Sequence, residues 1–517
     1  MLGIGVLLVI VFGLVFIYDY FIKRTRNWKL LNKFPGDYPL PLVGNALQLG
    51  FDADAVSPIL LGMWKRHGKT NFRLSVGSEE WVMLCEPDDV GVILSHPTEL
   101  SKPLERNEAM RPFFGNSLST SEGKERWRSM RKLMTPSFNF KTFENKLVVL
   151  NEKSQQLLEI LKEKTENGPV ELYRYLRPYM FDNLCNTLMG VDYDLMKNPD
   201  HPYLNASKKV INIATINYFS YWRNIKPLFA VTHLYRDMME TIKAIRTTSG
   251  EYLLRIRKIL EEEKETNNNN NKEAADESFL LDNLIRSKLP NGDFLPDEHI
   301  NEEVTLLCFT GHYTTTCTIV HTLYCLAKYP EIQAFVIDEQ LSIFNNDLSK
   351  LPTLEDLNNM KYLEAVIKES MRVIPTVTKI GRQLNEDLKL KDGRVIPVGT
   401  SVIVYFEALF QNPKSFPEPE KYKPERFFNN LHQYAFCPFS AGPRNCIGFR
   451  YAWIAMKATL SNILRRFEVS LGSSNAQPDF AHRIITESIN GVHLTLKERD
   501  IKRILHKILE IYSFLSD

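Results

Sequence analysis

The sequence predicts a mainly α protein: one large helix-rich domain with small β-sheets, preceded by an N-terminal transmembrane helix. Three observations carry this prediction. Met1 to Ile17 holds no charged residue and is dominated by Leu, Val, Ile, Phe and Gly. From Phe143 to Leu161 and from Val304 to Lys328, apolar positions recur at helical spacing. β-rich runs are short and few, as at Thr70-Asn71-Phe72-Arg73-Leu74 and Trp81-Val82-Met83-Leu84.

In chain order, residues 1–22 read as a membrane anchor, since about 20 apolar residues span a bilayer core. No basic stretch precedes it and no small-residue cleavage site follows, which argues against a removed signal peptide. Lys23, Arg24 and Arg26 flank its C-terminal side, so the positive-inside rule puts the following domain in the cytosol. Residues 23–45 form a basic, proline-rich linker, with Pro35, Pro39 and Pro41 unable to continue a helix. Residues 46–499 are read as one catalytic domain. The soft prior for a chain of 517 residues is about three domains, but large enzymes built around a bulky cofactor exceed it. Within that domain, residues 265–277 contain five consecutive asparagines, Asn267 to Asn271, and too little apolar content to pack, so a mobile surface loop is expected. Residues 500–517 alternate Ile and Leu with basic residues at helical spacing, as an amphipathic extension does.

Sixty-four basic and 62 acidic residues leave a formal charge of +2, which gives no global field for nucleic acid; none is expected as a partner. The seven cysteines (Cys85, Cys185, Cys308, Cys317, Cys325, Cys437 and Cys446) are odd in number and scattered. They show neither a disulfide framework nor zinc spacing, as in a reducing compartment.

One cysteine is set apart by its surroundings. Phe439-Ser440-Ala441-Gly442-Pro443-Arg444-Asn445-Cys446-Ile447-Gly448 places it in a loop between two glycines and beside an arginine. A thiolate bound to iron needs N–H donors aimed at sulfur, and Gly442 and Gly448 let backbone approach it. Arg444 can meet an anionic group. A lone cysteine in a turn is ordinarily a structural thiol, but the pattern F-x-x-G-x-R-x-C-x-G fixes five positions together. It resembles the cysteine loop of the cytochrome P450 family.

That resemblance implies the cytochrome P450 fold and a haem b whose iron is ligated by Cys446, the thiolate pushing electron density onto iron. It extends to other motifs. Glu369-Ser370-Met371-Arg372 sets a carboxylate and a guanidinium on one helical face, and Pro424-Glu425-Arg426-Phe427 supplies Arg426; in the family these three brace the cysteine loop. Trp127 and Arg131 match the W-x-x-x-R helix that binds a haem propionate, and Arg382 occupies another arginine position against haem. With Phe439, Gly442, Arg444 and Gly448, they complete the implied cofactor site. Thr310-Gly311-His312-Tyr313-Thr314 matches the oxygen-binding stretch, which makes Thr314 the oxygen-activating hydroxyl. Here the chain departs from the family, which has an acid where this sequence has Tyr313; no carboxylate lies between Val304 and Pro330. A phenol of ordinary pKa about 10 cannot shuttle protons as an ionised carboxylate does, although its hydroxyl can order water.

Phe181-Asp182-Asn183-Leu184-Cys185, Leu188-Met189-Gly190 and the Gly311-His312 pair resemble the microsomal clan that contains fatty-acid ω-hydroxylases. Many of its members carry a glutamate at the position of Thr310 that esterifies haem, so threonine there predicts non-covalent haem. The implied reaction is insertion of one oxygen atom of O₂ into a lipophilic substrate (fatty acid, terpenoid, hormone or xenobiotic). Electrons come from NADPH through a cytochrome P450 reductase, with cytochrome b5 as a further candidate, at the endoplasmic reticulum membrane. Arg126, Arg128, Lys132, Arg450 and Lys457 are candidates for meeting an acidic reductase. Phe113, Phe114, Phe309, Val377, Ile380, Ile484 and Ile485 are the substrate-pocket candidates. Two alternatives stand beside this reading: a reductase-independent isomerase or dehydratase of lipid peroxides, motivated by Tyr313, and a low-turnover haem-based binding protein.

Overall fold

The computed structural model describes residues 2–50, 52–121, 124–138, 143–166, 168–219, 226–266, 279–289, 292–472 and 477–500. Helix α1 (Leu2–Ile22) is exposed, and its Ile4–Ile22 stretch has a mean hydropathy of 2.4. Its 21 residues at about 1.5 Å each match a hydrocarbon core of about 30 Å. Near its end, Asp19 pairs with Lys23 one turn on, which neutralises the carboxylate on the side of the basic flank. The linker beyond does not hang free. Arg73 N–H donates to the Pro35 carbonyl (2.8 Å) and Asn45 N–H to that of Ser75 (2.6 Å), stitching the proline-rich stretch along the first strand.

That strand, β1 (Phe72–Val76), opens a four-stranded sheet with β2 (Glu79–Leu84), β3 (Lys379–Gln383) and β4 (Ser401–Tyr405). Their spatial order is β1-β2-β4-β3, with β2 parallel to β4 and the other pairs antiparallel. The helical body comprises α2 (Lys124–Met134), α3 (Phe143–Thr165), α4 (Leu172–Leu184), α5 (Pro202–Phe219), α6 (His233–Thr266), α7 (Asp297–Lys328), α8 (Lys361–Val373) and α9 (Phe449–Arg466), with shorter helices between them. The helix expected from Val304 starts about two turns earlier, because Pro296 precedes it and Asp297 and Glu298 place negative charge at its N-terminal dipole. Glu265 and Thr266, read as the beginning of a loop, instead close α6. The remainder of that loop and of the C-terminal extension lies outside the described residues.

Helix α7 runs through the middle of the main core: from Glu303 to Ala327 every residue is buried except Thr310, Gly311 and Thr314. Gly311 is there because α4 crosses at that point; a Cβ on it would lie 2.6 Å from Leu184 Cδ1. Just beyond, α4 widens into a π-helical turn at Cys185–Met189 and stops at Gly190, in the left-handed conformation. Such turns cluster at functional sites, and this one aims Leu184 and Leu188 at the cavity described next.

Candidate active site

Between α7, the π-turn, α8 and the start of α9 lies a cavity with about 1270 Å³ of empty space, mouth included. Thr310, Gly311, Thr314, Thr315 and Thr318 of α7 line one side; Phe439, Ser440, Cys446, Ile447 and Gly448 line the other. No acidic side chain is among the lining residues.

Cys446 is the one cysteine of seven that is exposed, and it is exposed into this enclosed space. Its amide donates to the Phe439 carbonyl at 2.9 Å, which closes the loop. Burial pushes its thiol pKa up, while the Gly448 N–H and the Arg131 charge oppose that shift. The sulfur sits just ahead of α9, whose 18 residues point a positive dipole end toward it. Gly442 has φ +67°, and a Cβ there would lie 1.9 Å from the Leu94 carbonyl oxygen. The glycine requirement is thus a close approach to the chain at Leu94, not to sulfur as the sequence suggested. Gly448 has an ordinary φ of −92°, and its contribution is the N–H.

Arg131 grips the cysteine loop, donating to the Asn445 carbonyl (2.7 Å) and side-chain oxygen (2.6 Å). Trp127 is buried and carries the Arg444 guanidinium on its face at 4.8 Å. Arg444 Nε and Nη1 are buried without a partner, and burial together with the charges of Arg382 and Arg131 pushes its pKa down to about 9. Guanidinium N–H groups left bare beside two like charges call for an anion. A thiol opening onto apolar walls, with bare guanidinium donors two residues before it in the same loop, fits a haem: sulfur for iron, arginine for propionate.

Glu369 gathers Arg372 and Arg426. Arg372 donates through Nε (2.7 Å) and Nη2 (2.9 Å) to the two oxygens of Glu369, and Arg426 Nε reaches the same carboxylate at 3.2 Å. Arg372 also holds the carbonyls of Phe410 and Lys421, each at 3.1 Å. Phe410 lines the cavity, so the brace sets its wall.

Thr314 lines the cavity, its hydroxyl donating to the Thr310 carbonyl at 2.8 Å. Tyr313 does not. One residue on, and so about 100° around the helix, it is fully buried and donates to Glu487, which also pairs with Arg177. A carboxylate does therefore meet this stretch of helix, brought from a strand 174 positions away, and no local pattern announces it. Burial drives the Tyr313 hydroxyl pKa well up. His312 is packed among Phe181, Tyr203, Phe309 and Tyr313, and burial lowers its pKa to about 4, keeping it neutral.

Of the substrate-pocket candidates, Val377 and Ile380 line the cavity. Phe113, Phe114 and Phe309 are instead buried core, with Phe114 5.0 Å from Phe309 and Phe309 stacked on Tyr313 at 5.3 Å. Ile484 and Ile485 are likewise buried, and Ile485 bridges its backbone to Val377. Among the basic candidates, Arg128, Lys132 and Arg450 are exposed. Lys457 is buried, held by Glu364 (2.6 Å) and the Leu357 carbonyl (3.1 Å). Arg126 turns inward to Glu302 and the Asn116 carbonyl. These two are structural cations.

A helix-rich body closing a cavity between the Cys446 thiol and a threonine-bearing helix, with the unpartnered Arg444 guanidinium in the cysteine loop, defines a haem-thiolate enzyme. Comparison with known proteins agrees. The family model described as Cytochrome P450 matches residues 34–494. The chain is 33% identical over 512 residues to Cytochrome P450 4d2 of Drosophila melanogaster, covering 96% of this chain and 100% of the relative. It is 32% identical to Cytochrome P450 4c3 of the same fly, over 94% of this chain and 93% of that one. To Cytochrome P450 4V2 of Mus musculus it is 31% identical, over 94% of each. The chain belongs to the cytochrome P450 family, haem-dependent oxidoreductases of the monooxygenase type.

Proposed function

We propose that this protein is a membrane-anchored monooxygenase that inserts one atom of O₂ into a lipophilic substrate and releases the other as water, drawing two electrons from NADPH through a reductase. The observation that carries the reading is the Cys446 sulfur facing Thr314-bearing α7 across an apolar cavity. Haem, when bound, supplies dioxygen activation. The chain does the rest. Cys446 would provide the ligand, and Arg444, stacked on Trp127 and close enough to Arg382 to feel its charge, would take a propionate. Leu184, Leu188, Val377 and Ile380 exclude water and favour a hydrocarbon substrate. Thr314 holds a hydroxyl at the cavity wall. Thr310 spends its own hydroxyl on the Leu306 carbonyl at 2.8 Å, and no carboxyl among the lining residues could esterify haem, which supports non-covalent haem b. Exposed Arg128, Lys132 and Arg450 suit an acidic reductase, with cytochrome b5 a further donor. The apolar helix and its basic flank support a single span of the endoplasmic reticulum membrane with the enzyme body in the cytosol. A fatty acid or terpenoid suits the apolar walls best.

The lipid-peroxide alternative rested on Tyr313, which is turned away from the cavity and engaged by Glu487. Incubating the membrane-bound protein with reductase, NADPH and a lipid panel tests the proposal. A hydroxylated product that requires NADPH is expected. Conversion of a lipid hydroperoxide without NADPH, and no NADPH-dependent product, would refute it.

A further inference from the structure

Each turnover of the proposed reaction consumes two protons, and the α7 wall of the cavity offers no acid to deliver them. Glu487 is engaged behind the helix, between Tyr313 and Arg177. What the wall does offer is hydroxyls in register. Thr310, Thr314 and Thr318 all line the cavity at successive i,i+4 positions. Each donates to the carbonyl four residues back: to Leu306 (2.8 Å), Thr310 (2.8 Å) and Thr314 (3.0 Å). Their protons therefore point into the helix, leaving oxygen lone pairs free to accept.

Four residues of α-helix rise about 6 Å, which is the sum of two O–H···O contacts of roughly 2.8–3.0 Å. One water fits between successive hydroxyls. Thr318 is further fixed from across the cavity, where Thr376 lies 2.8 Å from its hydroxyl. Because the Thr318 proton goes to the Thr314 carbonyl, Thr376 is the donor of that pair. Thr318 is thereby the best-held hydroxyl of the row and stands one water away from Thr314.

We propose that Thr318, backed by Thr376, holds a water against the Thr314 hydroxyl and that this water takes the place of a carboxylate in supplying protons. The inference rests on the monooxygenase reading. The Thr314 hydroxyl turns from the Thr310 carbonyl to give its proton to the oxygen atom that leaves as water and takes one from the held water, which is reprotonated from solvent. Thr318 and Thr376 are positioning residues in this scheme.

The test uses the haem-loaded full chain with Thr318→Val, which keeps shape and drops the hydroxyl, and Thr318→Ser, which keeps the hydroxyl. A crystal structure is expected to show an ordered water between the Thr314 and Thr318 hydroxyls, retained with serine and lost with valine. Product formed per NADPH should fall about fivefold in Thr318→Val, the factor that a net hydrogen bond of about 1 kcal/mol carries. Hydrogen peroxide should rise correspondingly, and Thr318→Ser should match the parent. A dry wall at Thr314, unchanged coupling in Thr318→Val, or a larger loss of coupling in Tyr313→Phe would overturn the proposal. The water is read without turnover, so absence of any NADPH-dependent product would refute the monooxygenase reading separately.

Discussion

Replacing Arg372 by lysine keeps the charge and discards the geometry. In the native protein this fully buried guanidinium makes four hydrogen bonds, two to Glu369 and one each to the Phe410 and Lys421 carbonyls. A lysine ammonium is a single point at the end of a flexible stem and cannot satisfy a carboxylate fork and two carbonyls lying in different directions. Glu369 would keep Arg426 Nε at 3.2 Å and the Lys423 N–H at 2.8 Å, and the Lys421 carbonyl would keep Arg426 Nη2 at 3.2 Å, but the Phe410 carbonyl would lose its donor in a dry interior. Breaking a buried pair in this way costs about 3–5 kcal/mol, against a total stability of about 5–15 kcal/mol. Because Phe410 is a cavity wall, the loss should appear first as weakened haem retention. The assay is urea titration of the haem-loaded protein, followed by haem absorbance. Arg372→Lys is expected to release haem at a markedly lower urea concentration, while Arg128→Lys, exposed, should behave like the parent. An Arg372→Lys protein with the parental midpoint would refute the reasoning, because it would mean that the fork geometry contributes nothing.

Gly442→Ala should abolish most haem incorporation: a left-handed φ costs a residue with Cβ about 1–2 kcal/mol, and a methyl 1.9 Å from the Leu94 carbonyl oxygen forces the loop bearing Cys446 to move. Haem-to-protein absorbance of the purified variant checks it. Glu303 gives a pH effect of defined sign. Burial raises its pKa from 4.5 to about 7, opposed by the Leu118 N–H, and its Oε1 has no partner. Between those values the folded state keeps a proton that the unfolded chain has released, so its contribution is fully present below about 4.5 and is lost as pH rises to about 7, by roughly 3 kcal/mol at most. Glu303→Gln cannot ionise. Its melting temperature should exceed the parent's at pH about 7.5, with the gap shrinking toward pH about 5.

The parts legible in the sequence were those whose chemistry is packed into a short stretch. Cys446 and Arg444 sit two residues apart, and Glu369 and Arg372 share one helical face, so spacing alone foretold their juxtaposition. The long helices were legible because their apolar repeats are clean. What escaped was contact between distant segments. Nothing around Glu487 signals that its carboxylate meets Tyr313, since strand and helix are joined only by the tertiary fold. Lys457 reads as a surface cation until Glu364 of α8 is placed beside it. Phe113, Phe114 and Phe309 show the limit from the other side: pocket and core select the same aromatic residues, and only their stacking shows which they are. Gly442 was flagged for the wrong neighbour, because the chain at Leu94 that fills its open side comes from a helix almost 350 residues earlier.

The central claim is that the sulfur of Cys446 holds the haem iron. The most direct measurement is the reduced carbon-monoxide difference spectrum of the haem-loaded parent and of Cys446→Ser, expressed side by side in membranes. The parent is expected to give the absorbance of a thiolate-ligated carbonyl complex, and the serine variant to lack it. The same thiolate-type band in both proteins would contradict the account.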